Sequence, residues 1–203
     1  MLVPSIILHE VTHGWVALAF GDDTAKRAGR LTLNPVRHVD PFGTIILPLV
    51  MSAVGFGVFG YAKPVPVNPR RMRSPRDNAM WTALAGPAMN VVIALLAALV
   101  LRVVRPDGLT LDFEGYLTPE PLVIQLLVWA GIVNIVLAVF NLIPLPPLDG
   151  SAVVERFLPR RWWPRYLQLR RYSMIALIAV MLLAPRVFGR VLREAVEQWS
   201  RLL

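Results

Sequence analysis

The chain has 203 residues, 56 % of them hydrophobic, and a formal net charge of +8 at pH 7. Several apolar runs are long enough to cross a hydrocarbon core of about 30 Å, which excludes an ordinary soluble domain and indicates a polytopic membrane protein. The basic residues cluster between the apolar runs, where they are typical of cytoplasmic loops rather than of a nucleic-acid surface. Since the chain has no cysteine, disulfides and thiolate zinc ligands are excluded.

The first apolar run, residues 2–20, contains the sequence His9-Glu10-Val11-Thr12-His13. On a helix, positions i and i+4 share a face, so His9 and His13 can direct two imidazoles at one metal ion. Glu10 is then close enough to act on a water molecule as a general base. Ionisable groups are costly inside a membrane helix, and this favours a metal site over a chance match. Because only eight residues precede His9, we expect a longer N-terminus in the native protein or its homologues.

The next two segments are rich in residues that interrupt helices. Residues 22–42 form a polar link in which 30–33 could make a short strand. Residues 43–61 are apolar but contain one proline and four glycines, which predicts either a kinked crossing or a re-entrant segment. We therefore expect a short membrane-associated β element or a re-entrant segment in this part of the chain.

Three later runs are predicted to cross the membrane, and a fourth segment to form an amphipathic helix on its surface: 79–104, 122–143, 172–188 and the tail 190–203. The expected fold is an all-α integral-membrane bundle with about four to six membrane segments. A single domain is expected to cover residues 1–203.

The distribution of charge predicts the topology. Two basic segments are expected in the cytoplasm and one acidic segment outside: 63–77, 151–171 and 105–121. The two helices that flank the acidic segment then run outward and inward, which brings Asp149 close to the cytoplasmic side. If the basic link 22–42 is also cytoplasmic, His13 lies at a similar depth. We predict a multi-pass protein of the cell membrane, bacterial by its composition, with its site towards the cytoplasm.

A hydrolytic zinc site typically has three protein ligands, and the first helix supplies two of them. The best candidate for the third is Asp149, a lone acid at the membrane end of a helix between two prolines and Gly150, although a simple Asp-Gly turn would also explain it. His38 and Asp40 are alternative ligands, but turn or capping roles explain them at least as well.

Two asparagines lie inside otherwise apolar helices. Asn90 and Asn141 could form interhelical hydrogen bonds that hold the bundle together. They could instead donate to a developing oxyanion or hold the substrate backbone. Asn141 is the favoured candidate because it precedes Asp149 by eight residues.

Three motifs together resemble the site-2 protease family of intramembrane zinc metalloproteases: residues 9–13, Ala85-Gly-Pro-Ala-Met-Asn90, and Asn141-Leu-Ile-Pro-Leu-Pro-Pro-Leu-Asp149-Gly150. The loop at residues 34–41 resembles that of the compact subgroup without a PDZ domain. The resemblance implies that one Zn²⁺ per chain is bound by His9, His13 and Asp149. It also implies that Glu10 activates the water and that Asn141 assists catalysis or substrate binding.

The resemblance implies hydrolysis of peptide bonds in or near transmembrane segments of membrane-protein substrates. The expected partners are such substrates and the lipid bilayer, with no nucleic acid, while Asn90 and His38 are possible substrate-contacting or accessory residues. Two alternatives are a membrane metal carrier, which would not need Glu10, and a catalytically inactive scaffold, which usually lacks a ligand or the glutamate. A helical substrate must unwind locally, and residues 22–42 and 43–60 could pair with it like strands.

Overall fold

The computed structural model describes residues 1–40, 63–104 and 121–203, together with Ile46 and Leu49. Within these ranges the regular structure is helical, with no strand, and three helices are long and apolar enough to cross a membrane: α1 (Leu2–Ala19), α3 (Pro75–Val104) and α4 (Leu122–Asn141). The other α-helices of the described residues are α2 (Thr24–Arg27), α5 (Ser151–Phe157), α6 (Trp163–Arg170), α7 (Ser173–Leu183) and α8 (Pro185–Ser200), and three short 3-10 helices cover Pro35–His38, Pro69–Arg71 and Arg160–Trp162. The expected all-α membrane bundle is confirmed.

The three long helices lie close to their predicted positions. α3 begins at Pro75 rather than at residue 79, because proline suits the first helical position, where no intrahelical N–H partner is required. α4 ends at Asn141 rather than at residue 143. Hydrophobic run length therefore located these helices to within a turn, and their ends depend on local chemistry.

The strand predicted for residues 30–33 is wrong, because this stretch is irregular. The Thr32 hydroxyl accepts a hydrogen bond from the N–H of Asn34 at 3.2 Å, and its carbonyl accepts one from Nε2 of His38 at 2.8 Å. Such local side-chain bonds compete with strand pairing. The predicted crossing or re-entrant segment at 43–61 lies outside the described residues.

The crossing predicted for residues 172–188 contains a break. α7 ends at Leu183, and α8 begins at Pro185 after a bend of 76°. The residue before a proline is disfavoured in the helical conformation, and Ala184 accordingly leaves it, with φ −126° and ψ 44°. The two helices together count as a fourth crossing only if the bent pair is taken as one span.

The tail does more than lie on a membrane surface. Trp199 of α8 is 2 % exposed and packs in a core with α3 and α4 residues such as Leu101 and Val128. Its indole N–H donates to the carbonyl of Ala94 at 2.8 Å. A Cβ at Gly131 would lie 1.8 Å from the Trp199 ring, so this glycine makes the contact possible. The end of the tail is thereby fixed against the bundle.

The outward faces of α3 and α4 are apolar and exposed, as expected for helices in contact with lipid. The residues on these faces include Val92, Leu95, Leu96, Leu99, Val103, Leu122, Val123, Leu126 and Trp129. Together with the length of the helices, this surface is that of a multi-pass membrane protein.

Candidate metal centre

Three side chains from distant parts of the sequence converge beside α1. Nε2 of His9 lies 3.1 Å from Nε2 of His13. Oδ2 of Asp149 lies 3.0 Å from Nε2 of His9 and 3.4 Å from Nε2 of His13. Within the described residues, His9, His13 and Asp149 form the group whose ligand atoms could hold a metal ion. His38 and Asp40, the alternative third ligands, are not part of this group.

Asp149 reaches the histidines because the chain folds back at the end of α4. The N–H of Gly150 donates to the carbonyl of Asn141 at 2.7 Å. A Cβ at Gly150 would lie 2.2 Å from the carbonyl oxygen of Leu142, so only glycine fits this close approach. The Asp-Gly turn considered from the sequence is present, and it is also what places the carboxylate beside α1.

The hydrogen bond of His13 determines which of its ring nitrogens carries the proton. Nδ1 of His13 lies 2.7 Å from the carbonyl oxygen of Thr82 on α3. A carbonyl can only accept, so Nδ1 must donate and the neutral ring has its lone pair on Nε2. The nitrogen that is free to bind a metal ion is therefore the one that faces Asp149.

A chain of hydrogen-bonded neutral side chains likewise determines which ring nitrogen of His9 carries the proton. Nδ1 of His9 lies 2.5 Å from Oδ1 of Asn90, and Nδ2 of Asn90 donates to Oδ1 of Asn134 at 2.7 Å. Nδ2 of Asn134 donates to the Ser5 hydroxyl and to the Ala130 carbonyl, both at 2.8 Å. Because the Ala130 carbonyl can only accept, it sets the direction of both amides, and Oδ1 of Asn90 must accept from His9. This chain of groups is called the amide relay below.

The three ligand atoms fit zinc. Two imidazole lone pairs and a carboxylate oxygen face one another without a proton between them, and they repel unless a cation lies among them. Tetrahedral zinc with bonds of about 2.0 Å holds its ligand atoms about 3.3 Å apart, close to the observed 3.0–3.4 Å. The buried Oδ2 of Asp149 also has no hydrogen-bond partner among the described residues.

Gly86 lets α3 pass close to the histidines. A Cβ at this position would lie 2.4 Å from Nε2 of His13 and 2.7 Å from Cε1 of His9. Any larger residue would occupy the space of the imidazoles. The small residues of the 85–90 motif thus act at the centre itself, in addition to helix packing.

Glu10 lies beside the ligands and is held by a segment from outside α1. Its Oε2 accepts a hydrogen bond from the backbone N–H of Val65 at 2.8 Å. Glu10, both histidines and Asp149 line a cavity of about 730 Å³, and Val65 forms part of its wall. This volume is within the range of small-molecule sites.

Of the candidates Asn141 and His38, only the first lines the cavity. Asn141 lines the cavity, and its amide donates to the carbonyl of Leu137 on the same helix at 3.0 Å. His38 is buried and bonded to Thr32, away from the three ligands. Only Asn141 is therefore placed to meet a bound substrate.

Three contacts of the site were not predicted from the sequence: those of Asn134, the Thr82 carbonyl and the Val65 N–H. Asn134 carries the same signal as Asn90 and Asn141, an amide within an apolar helix, and that rule could have found it. The other two are backbone groups, which leave no mark in a sequence.

At the rim of the cavity, the Tyr166 hydroxyl donates to Glu155 at 2.9 Å, and Arg170 lies 3.2 Å from the same carboxylate. Burial and then the Glu155 carboxylate raise the pKa of Tyr166 to about 12, so the phenol remains a donor at neutral pH. These contacts join α5 and α6 across the rim.

The sequence model of peptidase family M50 matches residues 1–118 and 113–184 of this chain, well over half of its length. The chain belongs to peptidase family M50. The resemblance to the site-2 proteases is thereby confirmed. The protein is a zinc metalloprotease of the intramembrane type, built on a multi-pass membrane bundle.

Curated relatives agree with the family. "Putative zinc metalloprotease YwhC" of Bacillus subtilis is 37 % identical over 179 residues, which are 88 % of this chain and 77 % of the relative. "Putative zinc metalloprotease Rip2" of Mycobacterium tuberculosis is 30 % identical over 191 residues, 91 % of this chain and 66 % of the relative. An archaeal relative, "Putative zinc metalloprotease MJ0611" of Methanocaldococcus jannaschii, is 28 % identical over 153 residues, 73 % of this chain and 64 % of the relative. No solved structure matches this chain.

Proposed function

We propose that this member of the family hydrolyses peptide bonds in or near transmembrane segments of membrane-protein substrates, with one zinc ion held by His9, His13 and Asp149. The observation that supports this most strongly is the convergence of these ligand atoms, with Nε2 aimed at Asp149, beside Glu10 on an apolar helix. The amide relay and the Thr82 carbonyl keep both imidazoles in the tautomer that can bind a metal.

Glu10 is the general base in this proposal. Bound zinc lowers the pKa of water towards about 7 and polarises the carbonyl that is attacked. Because the Val65 N–H holds Oε2, Oε1 is the oxygen that takes the proton from the attacking water. The same carboxylate then delivers this proton to the nitrogen of the leaving amine.

Asn141 is proposed to hold the substrate backbone or to assist at the developing oxyanion. Its bond to Leu137 uses one of the two amide hydrogens, so the second hydrogen and the carbonyl oxygen remain for a substrate in the cavity. A helical substrate hides its carbonyls in its own hydrogen bonds, so it must be locally extended to bind here.

The proposed location is the cell membrane of a bacterium, with the centre towards the cytoplasm. The distribution of basic residues supports this side. The arginine-rich segment 63–77 leads into α3, which contacts the histidines, and the arginine-rich segment 151–171 follows Asp149.

The experiment is the variant Glu10→Gln, assayed in proteoliposomes with a model transmembrane substrate. We expect cleavage to fall by at least about a hundredfold while zinc content is retained, since general acid–base catalysis contributes about 10² to 10⁴. Glu194→Gln on the exposed side of α8 is the matched control and is expected to cleave normally. Cleavage by Glu10→Gln at the wild-type rate would contradict the assignment, and zinc transport that survives in this variant would favour a carrier.

A further inference from the structure

Two charged side chains near the end of α1 are buried and have no part in the mechanism described above. Asp22 is 0 % exposed and Arg30 is 7 % exposed. Burying a charge is costly unless it is well hydrogen-bonded. The partners of these two side chains therefore indicate what they do.

Both side chains bind the backbone of the same irregular stretch, the 63–68 segment. The guanidinium of Arg30 donates to the carbonyl of Lys63 at 2.5 Å, with the Pro64 carbonyl at 3.5 Å. Oδ2 of Asp22 accepts from the N–H of Asn68 at 2.5 Å, at the other end of the segment. The two charges thus fix both ends of the 63–68 segment.

Between these anchors lies Val65, whose N–H donates to Glu10. Its side chain is 6 % exposed and packs over Gly14, one helical turn after Glu10. A Cβ at Gly14 would lie 3.0 Å from Cγ1 of Val65 and 2.4 Å from Cδ2 of Leu31. The gap at Gly14 therefore lets the segment lie directly on α1.

We infer that Asp22 and Arg30 are positioning residues for the general base, because they fix the 63–68 segment so that the Val65 N–H holds Glu10 in one orientation. The inference rests on the proposed role of Glu10. Neither residue lines the cavity that contains the metal ligands, and each acts through the backbone of the segment. Loss of either anchor leaves zinc in place and lowers the rate of the chemical step.

The test uses the full chain in nanodiscs with zinc content, kcat and KM measured on one model transmembrane substrate. Arg30→Met is compared with Arg27→Met, because Arg27 is exposed and pairs only with Asp23 among the described residues. We expect Arg30→Met to lower kcat about tenfold or more, with KM and zinc per chain close to wild type, since general-base catalysis contributes about 10² to 10⁴. Arg27→Met should match wild type.

A second variant removes the donor itself. Val65→Pro has no N–H, and it should lower kcat at least as much as Arg30→Met does. Because both changes act through one hydrogen bond, the double variant should be no slower than Val65→Pro alone. Losses that multiply in the double variant would overturn the inference, because a general structural weakening predicts independent effects.

Hydrogen exchange at the Val65 amide keeps the test decisive if Val65→Pro does not fold. Faster exchange in Arg30→Met together with the loss of kcat supports the inference, and unchanged exchange or an unchanged kcat overturns it. A wild type without zinc or cleavage would instead overturn the proposed function. A wild type that is active beside an equally active Arg30→Met overturns only the positioning role.

Discussion

Two buried polar clusters flank the histidines, and they are built from different groups. The amide relay lies among α1, α3 and α4 and contains only neutral partners beyond His9. The anchors of the 63–68 segment are full charges, Asp22 and Arg30, and they lie beyond the end of α1. Each cluster fixes the orientation of a different functional side chain: the amide relay holds His9, and the anchored segment holds Glu10.

The difference follows from the cost of burial. Between apolar helices an isolated charge is very costly, whereas an amide can satisfy its donor and acceptor groups with other amides and carbonyls. At the end of a helix, an irregular segment offers free backbone N–H and C=O groups to a charged side chain. The protein therefore uses amides to orient His9 and charges to hold the segment beside Glu10.

The largest effect in this comparison is expected for Asn90→Leu. Without its acceptor, Nδ1 of His9 no longer has to carry the proton, and zinc affinity should fall about 10- to 100-fold, the usual effect of losing such a partner. Competition with a chelator of known affinity measures it. Asn141→Leu removes an amide that contacts no ligand and should bind zinc like wild type. A zinc affinity of Asn90→Leu equal to that of wild type would contradict a role of the amide relay in metal binding.

A smaller effect is expected for Asn134→Leu. Nδ2 of Asn90 then loses its acceptor, and the amide can rotate to present a donor to His9, which favours the tautomer that cannot bind zinc. We expect up to about tenfold weaker zinc binding, in the lower part of the range for outer partners. Asn134→Asp keeps an acceptor for Asn90 and should bind more tightly than Asn134→Leu. The reverse order would contradict the direction of the amide relay.

Acid pH should affect the charged cluster, because the Asp22 carboxylate can be protonated, whereas the amides of the other cluster do not titrate. Burial raises the pKa of Asp22, but hydrogen bonds from Thr24 and from the N–H of Asn68 outweigh it and hold the pKa below the ordinary 3.8. The ionised carboxylate thus stabilises the fold above this value, and its contribution is lost as the pH falls through the lower, folded-state pKa.

Thermal unfolding in detergent from about pH 6 to about pH 3 measures this contribution. Asp22→Asn should be less stable than wild type at the upper end and should lose less stability on acidification. If the stability of Asp22→Asn falls with pH as steeply as that of wild type, Asp22 does not contribute to the loss of stability in acid.

Much of this arrangement could be read from the sequence, because the signals are local. Helical spacing brings His9 and His13 together, and apolar run length gives α1, α3 and α4 to within a turn. Asp149 stood out as a lone acid at the end of a helix. Asn134 carries the same signal as Asn90, an amide within an apolar helix.

The remaining features depend on contacts that are distant in sequence. The docking of Trp199 on Ala94 follows from packing of the tail against α3 and α4. The partners of Arg30 are backbone carbonyls more than thirty residues away. No local pattern marks such partners, so the sequence alone predicts a strand where residues 30–33 are irregular.

The most direct test of the metal centre is zinc content of the purified wild type beside Asp149→Ala, with cleavage of a transmembrane substrate followed in the same samples. About one zinc per chain in the wild type, lost together with cleavage in the variant, is the predicted result. Full zinc retention in Asp149→Ala, or a wild type without zinc, would contradict the three-ligand site.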